Sequence, residues 1–221
     1  VKALALVFFD RGAVRTIAYI DGFNLYFGSV RGTPHKWLNL RRLLELHLHP
    51  HNQIVGIKYF TAKISPRPND LDAPVRQETF LRALKTLPGV EIKYGHFLTK
   101  NVRMLLANPA PGQPATVMVV KTEEKGSDVN LAVQLVHDAH LDRFDCAVIV
   151  SGDSDLLMPV TVVRNEIGKM VGVLNPQRHP CAVLKANASF YKHLRPNFVA
   201  AAQFPNTLAD ARGTFSKPAV W

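Results

Sequence analysis

The stretch "CAVIVSGDSDLLMPV" (146–160) decides the reading of the whole chain. Its first six residues are mostly apolar and partly β-branched, the composition of a strand buried on both faces. Gly152 permits a tight turn, and "DLLMPVTVVRNEIG" (155–168) continues with helical apolar spacing. Strand, glycine turn and helix form the unit of a parallel sheet, whose neighbouring strands are joined by crossover helices. The turn carries Asp153 and Asp155, two positions apart, at the end of a buried strand. It does so in a chain of formal net charge +10, with 27 Lys and Arg against 17 Asp and Glu. A basic protein that concentrates acids at one strand end needs a chemical reason for them.

Outward from this unit the same alternation recurs. On the N-terminal side, "TIAYID" (16–21), "QIVGIKYFTA" (53–62) and "VEIKYGHF" (90–97) read as strands. "LNLRRLLELHL" (38–48), "PVRQETFLRALKTL" (74–87) and "SDVNLAVQLVHDAHL" (127–141) read as helices. "FLTKNVRMLL" and "TVMVVKT" read as hairpin arms around the loop "NPAPGQPA" (108–115). On the other side, "MVGVLN" (170–175) reads as a strand and "CAVLKANASFYKHL" (181–194) as a last helix. The expected division is an extension over 1–15, one domain over 16–205 and a loosely packed tail over 206–221. Within the extension, "VKALALVFFDRG" reads as an extra strand or an over-extended start. The expected fold class is α/β with a central, mainly parallel sheet. In such sheets ligands bind beyond the carboxyl ends of the strands, where strand order reverses.

A length of 221 residues suits one compact domain with a sizeable core. The positive balance favours a polyanionic partner, nucleic acid first and an anionic membrane surface second. No apolar run nears the ~20 residues needed to span a bilayer. Cys146 and Cys181 are the only cysteines. They make neither a disulfide framework nor a zinc site, which fits a reducing cytoplasm. Cys146 opens an apolar strand and reads as a buried thiol. His47, His49 and His51 read as a solvated helix end and turn.

Three separated segments deliver acids to one predicted edge. Asp21 ends the first strand, inside "YIDGFNLYFG" (19–28). Asp128 lies in the first turn of its helix, with Ser127 as the expected N-cap. At about 100° per residue, Asp128 falls within the stripe of Leu131, Ala132, Leu135, Val136 and Ala139. Taken singly, each acid has a structural reading. Asp128 or Asp155 would cap a helix or face its dipole, and Asp21 would be a turn residue. Together they repel, and need a cation or protonation. Hard divalent cations take oxygen ligands, and Mg²⁺ uses few carboxylates beside water and phosphate. Asp138, about 15 Å along the helix from Asp128, reads as structural.

The segments "YIDGFNLYFG", "KTEEKGSDVNLAVQLVHDA" (121–139) and "FDCAVIVSGDSDLLMPV…EIGKMVGVLNP" (144–176) resemble the NYN-domain family, within the wider PIN-like nuclease group. The resemblance runs from about residue 16 to about 205. It implies a PIN-like three-layer sandwich, a carboxylate-bound Mg²⁺ or Mn²⁺ site, and hydrolysis of RNA phosphodiester bonds. Carried over residue by residue, it assigns Asp21, Asp128, Asp153 and Asp155 to catalysis and metal binding. Asn24 and Ser151 match its motif residues, and they join Ser154 as expected substrate contacts. Gln134 stands where many members have a further Asp, but points away from the apolar stripe.

The expected RNA track is Arg31, Lys36, Lys63, Arg67, Lys100, Arg103, Lys125 and Arg178, in loops after the strands. Lys63, Arg67, Arg103 and Lys125 are its assigned substrate contacts. Phe23, Tyr26 and Phe27 read either as core or as a stacking face. The expected function is thus a metal-dependent ribonuclease, with single-stranded DNA as a further candidate substrate. The alternative is a weakly active or inactive nucleic-acid-binding regulatory module of the same fold. A dehalogenase-type phosphatase would need a second Asp where Phe23 stands. A nucleophile at Ser151 or Ser154 would lack the G-x-S-x-G elbow.

Overall fold

A computed structural model describes residues 12–112 and 114–221. Residues 1–11, with the extra strand expected in them, lie outside the described residues. In chain order the elements are β1 (Val14–Asp21), α1 (Gly22–Leu25), α2 (Leu40–His47), β2 (Asn52–Thr61), α3 (Ala73–Leu84), β3 (Val90–Tyr94), β4 (His96–Leu105) and β5 (Thr116–Lys125). There follow α4 (Ser127–His140), β6 (Cys146–Val150), α5 (Leu157–Thr161), β7 (Met170–Asn175), α6 (Ala182–Asn187), β8 (Phe190–His193), α7 (Pro196–Ala201), β9 (Thr207–Asp210) and β10 (Gly213–Ser216). Single turns of other helix types, Tyr26–Val30, Ser154–Leu156 and Val162–Glu166, adjoin α1 and α5.

Six strands form one parallel sheet in the order β3-β2-β1-β6-β7-β8. Side chains alternate across each strand, so the sheet feeds two cores. Ala18, Ile20, Ile57, Val148 and Val150 meet α2, α3 and α7 on one face. Ile17, Tyr19, Phe60, Ala147 and Ile149 meet α4, α5 and α6 on the other. The result is the three-layer α/β sandwich read from the sequence. Strand order reverses between β1 and β6, so the switch point lies at the ends of the strands that carry Asp21 and "SGDSD". Among the described residues, no helix is long and apolar enough to cross a membrane.

The structure corrects several expectations. The first strand starts at Val14, inside the stretch assigned to the extension. The strand expected over 90–97 breaks at Gly95, where a Cβ would press on Lys125 O. The chain leaves the sheet there and enters the antiparallel β4/β5 hairpin. The helix expected over 181–194 stops at Asn187, and it is not the last, since α7 follows. Phe190–His193 instead pairs with the free edge of β7, because backbone pairing and aromatic packing outweigh helical spacing.

The tail is not loose. Trp37 Nε1 donates to Pro205 O at 2.8 Å, and its ring packs against Phe204, Phe215 and Trp221. Arg82 pairs with Asp210 at 2.6 Å and covers the Phe215 ring. His47 is buried rather than solvated: its Nδ1–H bonds Leu43 O at 2.8 Å and its Nε2 accepts from Arg195 N at 3.1 Å. Burial lowers its pKa. His49 and His51 are exposed and stacked on each other. Cys146 is buried, which pushes its thiol up to about 12.

Candidate metal and active site

The acids gather around the junction of β1, β6 and α4. Asp21 closes β1 and caps α1, its Oδ1 accepting from Asn24 N at 2.9 Å. Its Oδ2 accepts from the Ser151 hydroxyl at 3.2 Å. Only 5% of Asp21 is exposed. Burial raises its pKa, the Asn24 amide opposes that, and the charges of Asp128 and Asp153 add to it, leaving it pushed up to about 6.

Ser151 is fully buried and accepts from Asp153 N at 3.2 Å while donating to Asp21. Asn24 Oδ1 accepts from Gly152 N at 3.0 Å and from Gln177 Nε2 at 2.9 Å. These bonds lock the end of β1 to the end of β6. A Cβ at Gly152 would collide with Asn175 Oδ1, so that turn tolerates no side chain.

Asp153 Oδ1 accepts from Asp155 N at 3.0 Å, which makes Asp153 the cap of the turn that follows. The capping role weighed for Asp155 therefore falls to its neighbour. The Asp155 carboxylate is exposed and makes no hydrogen bond among the described residues. Asp128 is half-buried at the start of α4, which packs against this turn. Its pKa is raised by burial first, then by Asp153, Glu124 and Asp155. The helix is not capped by Ser127 as expected. Gly126, at φ +95°, takes that position, and Ser127 donates through both N and Oγ to Glu124 Oε1. Among the described residues, none of Asp21, Asp128, Asp153 and Asp155 enters an ion pair.

The donor set is all oxygen, which suits a hard cation. Among the described residues, no three His, Cys, Asp or Glu side chains converge tightly enough to encage an ion. What these acids could offer a hard cation is one or two carboxylates, with water completing its shell.

The other sequence-predicted contacts are scattered. Ser154 is exposed beside Asp153. Arg67, Arg31 and Lys36 line a cavity on the far side of α1. Lys63 sits 5.7 Å from the Tyr94 ring centre. Lys125 ends β5 and pairs with Glu123 at 3.4 Å. Lys100 and Arg103 lie within β4, exposed, rather than in a loop. Arg178 is exposed beyond β7. Tyr26 and Phe27 are 39% and 52% exposed, so neither is core. Phe23 packs edge-on against Phe97.

Sequence reasoning missed Glu124, Asn175 and Gln177. Asn175 and Gln177 follow the same rule as the acids, since they end β7 or follow it. Glu124 carried a signal too, three residues before the start of a helix.

Comparisons with known proteins bear on the fold and the family. A structure of a protein of unknown function from Vibrio parahaemolyticus matches with a TM-score of 0.53 at 18% identity, covering 86% of this chain and 98% of that one. At that identity the likeness concerns the fold alone. A Pseudomonas putida protein named 6-hydroxy-3-succinoylpyridine 3-monooxygenase HspA is 32% identical over 243 aligned positions, covering 96% of this chain and 77% of the relative. The NYN domain model matches residues 15–194. The chain belongs to the NYN domain family.

Proposed function

We propose that the protein is a metal-dependent nuclease that hydrolyses RNA phosphodiester bonds. One observation carries this reading: four carboxylates from three segments lie around the switch point, near enough for their charges to raise the pKa of Asp21 and Asp128, with no ion-pair partner among the described residues. Such a group is costly without a cation, and the raised pKa values of Asp21 and Asp128 are of the kind that mark functional sites.

A bound Mg²⁺ or Mn²⁺ would neutralise charge on the scissile phosphate and make water a nucleophile at neutral pH. One or two of Asp153 and Asp155, at the rim, and Asp128, on the facing helix, would hold it, and the rest would orient its water. Asp21 is fixed in orientation by the Asn24 amide and Ser151 hydroxyl, and would hold or align water through its charge. Asn24 and Gln177 hold the Gly152 turn, so Asp153 is presented on a rigid support. The surplus of cations offers RNA long-range attraction.

The test is incubation of purified protein with mixed RNA and single-stranded DNA in Mg²⁺, Mn²⁺ or EDTA, with the cut ends mapped. Metal-dependent cutting of RNA is expected. Undiminished cutting after metal stripping would overturn the mechanism, and binding without cutting would leave a regulatory module of the same fold.

The Pseudomonas relative favours a second reading, oxygenation of a hydroxypyridine, because the 32% identity spans nearly the whole chain. Consumption of 6-hydroxy-3-succinoylpyridine with O₂ and NADH, in protein that leaves RNA intact, would replace the nuclease reading.

A further inference from the structure

One residue beyond Asp21, Gly22 forms part of the wall of a cavity of about 870 Å³, on the sheet face opposite α4. That volume suits a small organic ligand. One wall is a run of rings: Tyr59 meets Phe80 edge-on at 6.2 Å, and Phe80 meets Trp221 at 6.1 Å. The facing wall is the π-helical turn Tyr26–Val30. Ser29 donates to Pro176 O at 2.7 Å on one side of this turn. Tyr26 and Phe27 stay largely exposed, and both line the cavity. Single π-helical turns recur at functional sites.

The charges are one-sided. Asp70 is the sole carboxylate among the lining residues, and it is taken up by Arg76. Arg31, Lys36 and Arg67 enter no ion pair among the described residues. Arg31 is held 5.4 Å from the Phe27 ring centre. At the base lies Tyr59, 6% exposed, whose hydroxyl has no hydrogen-bond partner among the described residues. There is room for it because residue 22 is glycine: a Cβ there would lie 2.6 Å from the hydroxyl. The hydroxyl oxygen is not among the buried unpartnered atoms, so it opens onto the cavity, where a polar group of a ligand can meet it.

We infer that this cavity binds a planar aromatic ring bearing an anionic group. The ring lies between the Tyr59–Phe80–Trp221 wall and the Tyr26–Phe27 turn. The anion meets Arg31, Lys36 and Arg67, and a polar ring substituent meets the Tyr59 hydroxyl. Two sources offer this chemistry, a nucleotide and a small aromatic carboxylic acid. The inference does not rest on a metal at the acids.

The experiment is calorimetry and Trp fluorescence on the whole protein in EDTA. The probes are 5′-AMP, indole-3-acetate, the lone ring indole and the lone anion ribose 5-phosphate. At least one ring-plus-anion probe should saturate, about tenfold tighter than either half, a separation worth ~1.4 kcal/mol. Arg67 is exposed, so Arg67→Ala should leave melting unchanged and weaken binding about tenfold, the scale of one charge-assisted hydrogen bond. Trp221→Phe should abolish the fluorescence change while calorimetry still registers binding. Binding of AMP alone identifies a nucleotide, and of indole-3-acetate alone a small acid. The inference is overturned if neither saturates, if a lone half binds as tightly, or if both variants behave as wild type.

Discussion

Asp21 and Asp138 are both buried carboxylates between β1 and α4, and the protein treats them oppositely. Asp138 receives the Tyr19 hydroxyl and the Lys58 ammonium at 2.7 Å each, Arg143 at 2.8 Å and Gln134 at 2.9 Å. Burial alone would raise its pKa, but these partners outweigh it and hold the carboxyl below its ordinary value. Asp21 lies two residues beyond Tyr19, on the same face of β1. It receives one amide and one hydroxyl, faces other acids and is pushed up to about 6. The first acid is completed by the fold. The second has no cationic partner among the described residues, and on the proposed function that difference separates a structural carboxylate from a functional one.

The largest expected effect breaks the comparison on its functional side. Asp153→Asn removes charge but keeps an acceptor for the Asp155 amide. Cutting should fall about 10³-fold, the scale seen when one preorganised electrostatic group is lost, while the melting temperature holds. A kinetic assay beside a melting curve checks both. Next comes the structural side. Asp138→Asn leaves buried Lys58 with only the longer pairing to Glu91 at 3.8 Å, which should cost about 3 kcal/mol in a denaturant titration. Turnover per folded molecule should be unchanged, and a loss there would merge the two classes.

The sequence made much of this division legible. Asp21, Asp128 and Asp153 stand at strand or helix ends set by apolar periodicity, and such ends converge in any parallel sheet. Asp138 was readable as structural by its distance along the helix. Its partners were not, because Tyr19 and Lys58 come from strands whose neighbours only the fold decides. Ser127 looked like a cap by residue type, but the left-handed Gly126 beside it had the stronger backbone claim. The tail misled because its small residues and prolines hid two long-range anchors, Phe215 and Trp221, whose partner Trp37 lies far back in the chain.

A smaller effect sharpens the comparison through pH. The folded pKa of Asp21, about 6, exceeds the ~3.9 of an unfolded Asp. Between those values the folded state binds more protons, so stability of the metal-free protein falls as pH rises and stays low above 6. Melting in EDTA should therefore be higher at pH 5 than at pH 7 on this account. Asp21→Asn should flatten that dependence and raise the melting temperature at pH 7. Asp138→Asn should leave the dependence in place. The smallest effect belongs to Asp155, which carries no hydrogen bond to lose. Asp155→Asn should leave melting in EDTA within about 0.5 kcal/mol of wild type yet reduce the gain in melting temperature on adding Mn²⁺. A uniform loss with and without metal would return it to a structural role.

Direct titration of Mn²⁺ into metal-free protein at pH 7.5, by calorimetry, tests the central claim most directly. Wild type should bind saturably, Asp153→Asn should lose that binding, and Asp138→Asn, at a temperature where it stays folded, should keep it. Equal Mn²⁺ binding by wild type and Asp153→Asn, or none by wild type, would contradict the account.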